Sequence, residues 1–346
     1  MNFMKIKSDI SFVDLFSGAG GLLRGFMDAG ARPVFSLEVW KPAIATHKRN
    51  YPSVDLIEED IRMVSDERVR KFRGKVDVVV GGPPCQGFST IGKRLVKDPR
   101  NELVFEFIRF VRNIRPKAFL MENVRGLLSS DGGKTKIAIE EEFKRLGYRT
   151  ISKVLCAADY GVPQLRNRIF FIGIRDDLKV DPIFPVATCR KECRTTCGEA
   201  INDLLGLENK IPNHVPMKHN PIVERRIAFI KEGEGIGRDG LPAECAHGSR
   251  SDFAHNEIKN FSHVYRRLSR FRPATTMVPG HNAFPLHPIA NRSLTVREAA
   301  RIQTFPDDVV FEGSRQEQCI QVGNAVPVKL ALVLARQIIS LISKEA

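Results

Sequence analysis

A doubly wound α/β sheet with a smaller, loop-rich second domain is the fold class that this 346-residue sequence predicts. Three observations predict it. Short β-rich runs alternate with helical patterns through residues 11–175, an order that calls for parallel pairing and right-handed crossovers. The run Val76-Asp77-Val78-Val79-Val80 is apolar on both faces, as a central parallel strand should be. A glycine-rich turn follows the first strand directly and opens a helix.

In chain order, the β-rich run Ser11–Phe16 enters the glycine turn, and Gly21–Ala29 is patterned as the first helix. Strand Pro33–Leu37, helix Pro42–Asn50 and the short strand Val54–Ile57 complete one half of the sheet. The pattern resumes with helix Ser65–Phe72, central strand Val76–Val80, helix Asn101–Ile114 and strand Lys117–Met121. Helix Lys134–Leu146 and strands Thr150–Leu155 and Arg168–Ile174 close the series. Near residue 176 the texture changes. Residues 181–290 hold seven of the eight His, are rich in Pro, and show little periodicity. The expected organisation is a first domain over 1–178 and a recognition domain over 179–290. A C-terminal segment over 291–346, with helices Thr295–Gln303 and Val326–Ile342, is expected to return to the first domain.

Composition bounds the partners. Hydrophobic residues make up 42%, enough for a core. The formal net charge is +14 and the pI near 9.6, which suits a polyanion. A membrane-spanning role is disfavoured because no window approaches the ~20 apolar residues a span needs. The N-terminal MNFMKIKSDISF lacks the apolar core of a secretory signal. The expectation is a cytoplasmic protein with no membrane partner, whose seven Cys are reduced thiols.

The turn reads Asp14-Leu15-Phe16-Ser17-Gly18-Ala19-Gly20-Gly21-Leu22. Glycines there permit tight geometry and close approach of a ligand. Glu38, at the end of the second strand, is placed to take the ribose hydroxyls of an adenosine. Asp60, after the third strand, is placed to accept from an adenine amino group. Two ligands compete for this site. A dinucleotide needs its pyrophosphate at the helix N-terminus, where Asp14 would repel it. S-Adenosylmethionine is cationic at sulfur and nitrogen, and three carboxylates favour it.

The fourth strand runs into Gly81-Gly82-Pro83-Pro84-Cys85-Gln86-Gly87-Phe88-Ser89. Cys85 thus lies beyond the carboxyl end of a central strand, where open α/β sheets bind ligands. Two prolines stiffen its approach, which suits the mounting of a nucleophilic thiol. Cys156 and Cys319 read as buried small hydrophobes.

These two blocks are followed by Glu122-Asn123-Val124, by Gln164-Leu165-Arg166-Asn167-Arg168, by the run Arg292 to Gln303 (RSLTVREAARIQ), and by Gln321 to Pro327 (QVGNAVP). The ordered set closely resembles the DNA (cytosine-5) methyltransferases in their short prokaryotic, restriction-modification form. The likeness spans nearly the whole chain; residues 180–290 match loosely, where that family places its variable target-recognition domain.

The resemblance implies an S-adenosylmethionine-dependent, Rossmann-like methyltransferase domain and a DNA (cytosine-5-)-methyltransferase acting on duplex DNA. It implies that Cys85 adds to C6 of a flipped-out cytosine, that Glu122 bonds N3 and the exocyclic amine, and that Arg168 contacts O2. Arg166 would lie nearer the phosphates. Gln164, Arg166 and Arg168 are expected to share one strand face. Cofactor contacts carried over are Phe16, Gly18, Ala19, Gly20, Gly21, Glu38, Val39, Asp60, Ile61, Pro84, Leu103, Asn324 and Val326. S-Adenosylhomocysteine would be the product. Trp40 stands where the family more often has Asp.

The loop Gln86–Arg100 is expected to close on DNA, with Ser89, Lys93 and Arg94 meeting phosphates. Residues 181–290 carry a net charge of only +3. Arg250, Arg266, Arg267, Arg270, Arg272 and Asn282 are its candidate base readers, some of them framework. Cys189, Cys193 and Cys197 lack a tight C-x₂-C pair, so no metal is expected. A cognate endonuclease acting on the same site, without a stable complex, is a possible partner. The tRNA-methylating branch of the family carries a Cys-Phe-Thr signature absent from this sequence. A non-catalytic DNA-binding regulator is disfavoured by the intact Cys, Glu and Arg blocks. Amino-group methyltransferases carry an aromatic residue after the Pro-Pro and need no Cys there.

Overall fold

The computed structural model describes residues 9–84, 102–236, 264–278 and 284–343. They form two compact units, one of residues 1–160, 167–188 and 325–346, the other of 161–166 and 189–324.

The first unit is built on a seven-stranded sheet. Its strands are β1 (Ser11–Leu15), β2 (Arg32–Leu37), β3 (Leu56–Ile57), β4 (Val78–Gly81), β5 (Ala118–Val124), β6 (Tyr148–Cys156) and β8 (Asn167–Arg175). The intervening β7 (Gln164–Leu165) belongs to the second unit. The order is β3-β2-β1-β4-β5-β8-β6. Pairs from β3 through β5 are parallel, as expected. β8 corrects the all-parallel reading, because it runs antiparallel to both β5 and β6. Only residues 157–166 join β6 to β8. That is too short for a parallel crossover, which takes a dozen residues or more.

Helices cover the sheet. They are α1 (Gly21–Asp28), α2 (Lys41–Asn50), α3 (Asp66–Arg70), α4 (Glu102–Ile114) and α5 (Lys134–Arg145), with the C-terminal helix Val328–Ile342. Apolar side chains from both element types make one core. At its centre Phe119 of β5 stacks on Phe143 of α5, with ring centroids 3.9 Å apart. Gly25 lets α1 lie directly on the C-terminal helix, since a Cβ there would fall 2.4 Å from Cβ of Ala331. That helix is 15 residues long, and its apolar side chains are largely buried.

The second unit contains α6 (Cys197–Ile201), α7 (Pro221–Phe229), α8 (Val296–Ile302) and α9 (Arg315–Asn324), plus β7 paired in parallel with β9 (Ala274–Thr275). The expected boundaries move at both ends. Residues 179–188 stay with the first unit, where Thr188 N donates to Asp159 O. Residues 291–324 belong to the second unit, and the return begins at Ala325. The reason is a buried network around α8. Thr295 and Glu298 form a capping box. Arg292 grips the Glu298 carboxylate with two bonds of 2.8 Å and reaches Glu208 at 2.9 Å.

Loop-rich chain leaves many carbonyls without ladder partners, and buried arginines supply the donors. Arg297 donates to the carbonyls of Pro212, Pro306 and Val309. Arg267 donates to the carbonyls of Ile227, Ile230, His287 and Ala290 and to Asn291 Oδ1. Arg267, a candidate base reader in the sequence, is therefore framework. Arg267→Leu should lower unfolding stability by at least ~3 kcal/mol, because several buried acceptors lose their donor together. Urea titration checks this, and a change under ~1 kcal/mol would contradict it.

Candidate functional site

The sheet reverses its winding between β1 and β4, and open α/β sheets bind ligands in such a crevice. Across these strands Leu15 lies opposite Gly81, and Gly81 opposite Met121. The residues that follow, Phe16, Gly82 and Glu122, thus stand side by side, the first two just beyond their strands and Glu122 still within β5.

The turn after β1 is bent by three positive φ angles, at Phe16 (58°), Gly18 (55°) and Gly20 (82°). Glycine takes this region freely; phenylalanine does so at a cost, and such outliers concentrate at functional sites. No sequence pattern flagged the strain at Phe16. Gly21 is needed for packing: a Cβ there would lie 2.2 Å from Val326 O. Asp14 is folded beneath the turn. Its Oδ2 accepts from Ser17 Oγ at 2.8 Å and from Leu23 N at 3.2 Å. Its Oδ1 is buried without a hydrogen-bond partner among the described residues. Burial pushes the carboxyl up to about 7, against the two hydrogen bonds, with Glu38 adding a smaller push.

Glu38 is pinned by backbone amides. Oε2 accepts from Gly18 N at 2.8 Å, and Oε1 from Val39 N at 2.8 Å and Trp40 N at 2.9 Å. A carboxylate offers roughly four lone-pair directions, so little capacity remains beyond one more donor. Trp40, half-buried, is the N-cap residue of α2. Val39 is 57% exposed at the end of its strand, an apolar face open to a ligand. Asp60 caps the turn Ile61–Met63 and pairs with Arg62, whose guanidinium holds the carboxyl below its usual range. Arg109 of α4, which sequence reasoning missed, braces this turn by donating to Ile61 O at 2.7 Å and Val64 O at 2.9 Å. Leu103 packs on the core from the same helix, Ile61 is buried and Pro84 exposed. A backbone cradle, an open apolar face and the Glu38 carboxylate, with no Lys or Arg in the Asp14–Leu22 turn, fit a cationic adenosyl ligand rather than a pyrophosphate. Asp14 lies beneath the turn and Asp60 is paired with Arg62, so neither is the counter-charge expected from the sequence.

At the end of β5, Glu122 is 8% exposed and Arg168 of β8 reaches it, with Nε 3.1 Å from Oε1. Arg168 stands opposite Val124, so Glu122 is its diagonal neighbour on the same face. A Cβ on Gly82 would lie 3.2 Å from Glu122 Oε2, so the segment after β4 passes close to this carboxylate. Cys85, Ser89, Lys93, Arg94, Arg250 and Asn282 lie outside the described residues.

The expected common face of Gln164, Arg166 and Arg168 is corrected. β7 ends at Leu165 and β8 begins at Asn167, so Arg166 sits at a break. Gln164 is buried, donating to Gln303 and accepting from Met277 N. The sequence also offers Gln164 as a DNA contact, and its full burial corrects that expectation. Arg166 is also buried and donates to Gly323 O and Asn324 O, the C-terminal carbonyls of α9. It braces the helix end that carries exposed Asn324. Arg266 and Arg272 are exposed, while Arg270 is paired with Glu232 at 3.1 Å. Cys193 is exposed, Cys189 half-buried and Cys197 buried, with burial pushing the Cys197 thiol up to about 12.

Comparison with known proteins bears on this arrangement. The family model for C-5 cytosine-specific DNA methylase matches residues 10–340. The type II methyltransferase M1.HphI of Haemophilus parahaemolyticus is 38% identical, over 97% of this chain and 88% of that protein. M.DdeI of Desulfomicrobium norvegicum is 36% identical, over 95% and 88%. A solved structure of a candidate DNA modification methyltransferase encoded within an E. coli prophage superposes with a TM-score of 0.76 at 26% identity, covering 97% of this chain and all of that one. A Spodoptera frugiperda DNMT2 variant shares the fold, with a TM-score of 0.63 at 19% identity over 95% and 99%.

Asp14 generates a pH prediction. Its folded pKa lies above the unfolded value of 3.8. Between about pH 4 and 7 the folded state therefore keeps a proton that the unfolded chain has released, so this contribution to stability falls as pH rises. Asp14→Asn should gain on the wild type by a few kcal/mol across that window and hold a constant difference above it. Urea titrations of ligand-free protein at pH 5, 6, 7 and 8 measure this. A difference that stays flat from pH 5 to 7 contradicts it.

Proposed function

The chain belongs to the C-5 cytosine-specific DNA methylases, and we propose that it methylates C5 of a flipped-out cytosine in one specific duplex sequence, through a covalent bond from Cys85. It is the modification enzyme of a type II restriction-modification system in this reading, acting in the cytoplasm beside an endonuclease of the same specificity. The single observation that carries the chemistry is the Glu122–Arg168 pair, at the end of the strand beside the one that leads into Gly-Gly-Pro-Pro-Cys.

The reaction needs that pair. Cytosine C5 is a weak nucleophile, so the Cys85 thiolate adds to C6 and forms an S–C6 bond. Electron density then gathers on N3 and O2 before it reacts from C5. Glu122 delivers a proton to N3 and holds the exocyclic amine. Arg168 orients Glu122 through Nε and presents its remaining donors to O2. When bound, S-adenosylmethionine supplies an electrophilic methyl group to C5 and leaves as S-adenosylhomocysteine. The C5 proton then departs to water, the S–C6 bond breaks, N3 returns its proton to Glu122, and the thiolate is restored. Glu38, Asp60 and the exposed face of Val39 would hold the adenosine. Phe16, Gly18–Gly21, Pro84, Leu103, Asn324 and Val326 would line the rest of the cofactor site. Extracting the base from the stack costs a few kcal/mol. Phosphate contacts from Ser89, Lys93 and Arg94 offset that cost, and Arg250, Arg266 and Arg272 are the candidates for reading base edges.

A duplex carrying 5-fluorocytosine at the target should trap the protein covalently, because fluorine cannot leave C5 as a proton does. Cys85→Ala should give no adduct. An adduct of undiminished yield would refute the nucleophile. Glu122→Gln should lower kcat about a hundredfold or more while leaving cofactor affinity within about twofold. Single-turnover methylation reads the first quantity and calorimetric titration the second. Bisulfite sequencing of DNA from an expressing host identifies the target sequence for both.

A further inference from the structure

We infer that Asn123 is a positioning residue, whose carboxamide ties the chain leading into Cys85 to the strand that carries Glu122. The inference rests on the reading of Cys85 and Glu122 given above. Asn123 follows Glu122 on β5, so the pleat turns its side chain to the opposite face, where it is 1% exposed. Its Oδ1 accepts from Val124 N at 2.7 Å. That local bond folds the carboxamide against its own strand and fixes the direction of Nδ2. Nδ2 donates to Pro83 O at 3.3 Å.

Pro83 is where such a donor matters. Neither Pro83 nor Pro84 has an N–H, so the backbone here offers acceptors with no donors beside them. Pro83 is buried, and a buried carbonyl without a partner is costly. Two consecutive residues of β5 therefore meet two consecutive residues of the neighbouring segment, one by close approach and one by a hydrogen bond. Glu122 lies against Gly82, whose missing Cβ permits the approach, and Asn123 holds Pro83. Cys85 is two positions further along. Asn123 thus sets where that segment leaves the sheet relative to the Glu122–Arg168 pair. A displacement of about 1 Å at a reacting group can cost about a hundredfold in rate.

Asn123→Asp isolates the donor. It keeps the side-chain size and the acceptor for Val124 N, and it removes the donor to Pro83. The probe is covalent capture by the 5-fluorocytosine duplex in the presence of S-adenosylmethionine, timed against wild type at pH 8. The inference expects capture about tenfold slower at pH 8, with S-adenosylmethionine affinity within about twofold of wild type. Capture within about twofold of wild type at pH 8 would overturn it. So would slow capture that accompanies lost cofactor affinity, because a merely structural defect behaves that way. If Asn123→Asp does not fold, Asn123→Ser, too short to reach Pro83, must show the same slow capture with cofactor affinity retained. Failure of the wild type to capture would instead sink the assignment of Cys85.

Discussion

The register of three parallel strands is the constraint on which the site depends. Leu15, Gly81 and Met121 stand opposite one another, and each is the last residue before chemistry begins. Phe16 opens the glycine turn, Gly82 opens the segment toward Cys85, and Glu122 is the carboxylate that pairs with Arg168. Side chains alternate along a strand, so a slip of one residue in β5 would send Glu122 to the opposite face and bring Asn123 in its place. The ladder is held by the core beneath it, where Val13, Val79 and Phe119 are all fully buried. Gly81 completes it. A Cβ there would fall 2.5 Å from Leu15 O, so the close approach of β4 to β1 at this level excludes every other residue.

The same geometry separates two kinds of carboxylate by their surroundings. Asp60 is bonded by a neighbouring guanidinium and stays ionised. Asp14 has burial without a cation and holds its proton up to about 7. Glu38 is bonded by three amides that are themselves part of the turn and of the strand end, so its role in shaping the cradle is inseparable from any role in contacting a ribose. A cradle built this way is preorganised, since its polar groups are fixed before any ligand arrives.

Much of this was legible in the sequence, and the boundary of legibility is physical. All seven expected strands of the large sheet exist, because apolar runs such as Val78–Val80 can be buried only inside a sheet. Strand direction was not legible for β8. Periodicity reports which face is apolar, and it carries no sense of up or down; only the short connection 157–166 does. The cradle was legible from the glycines, but the strain at Phe16 was not, since phenylalanine gives no hint of a positive φ. The compact units divide at Ala325 rather than at 291, and no local pattern in the block from Arg292 to Gln303 shows which unit it joins. Its membership is decided by Arg292 reaching Glu208, 84 positions away.

Arginine is where composition misleads most. The net charge of +14 points to a polyanion, and each basic residue in residues 161–324 invites a role on DNA. Yet Arg166, Arg267 and Arg297 are buried and spend their donors on main-chain carbonyls, and Arg292 on buried carboxylate. A guanidinium carries five donors in a rigid fork, so one side chain can satisfy several acceptors that no strand or helix reaches. A unit with few ladders needs such donors, and that need scales with its loops rather than with its ligand. Basicity in this unit is therefore partly a consequence of its irregular backbone. The charges that can answer phosphate are the remainder, among them exposed Arg266 and Arg272. Each cation removed from the phosphate count flattens the salt dependence of binding by roughly one unit of slope. The structural arginines thus make the salt response of this unit weaker than its composition implies.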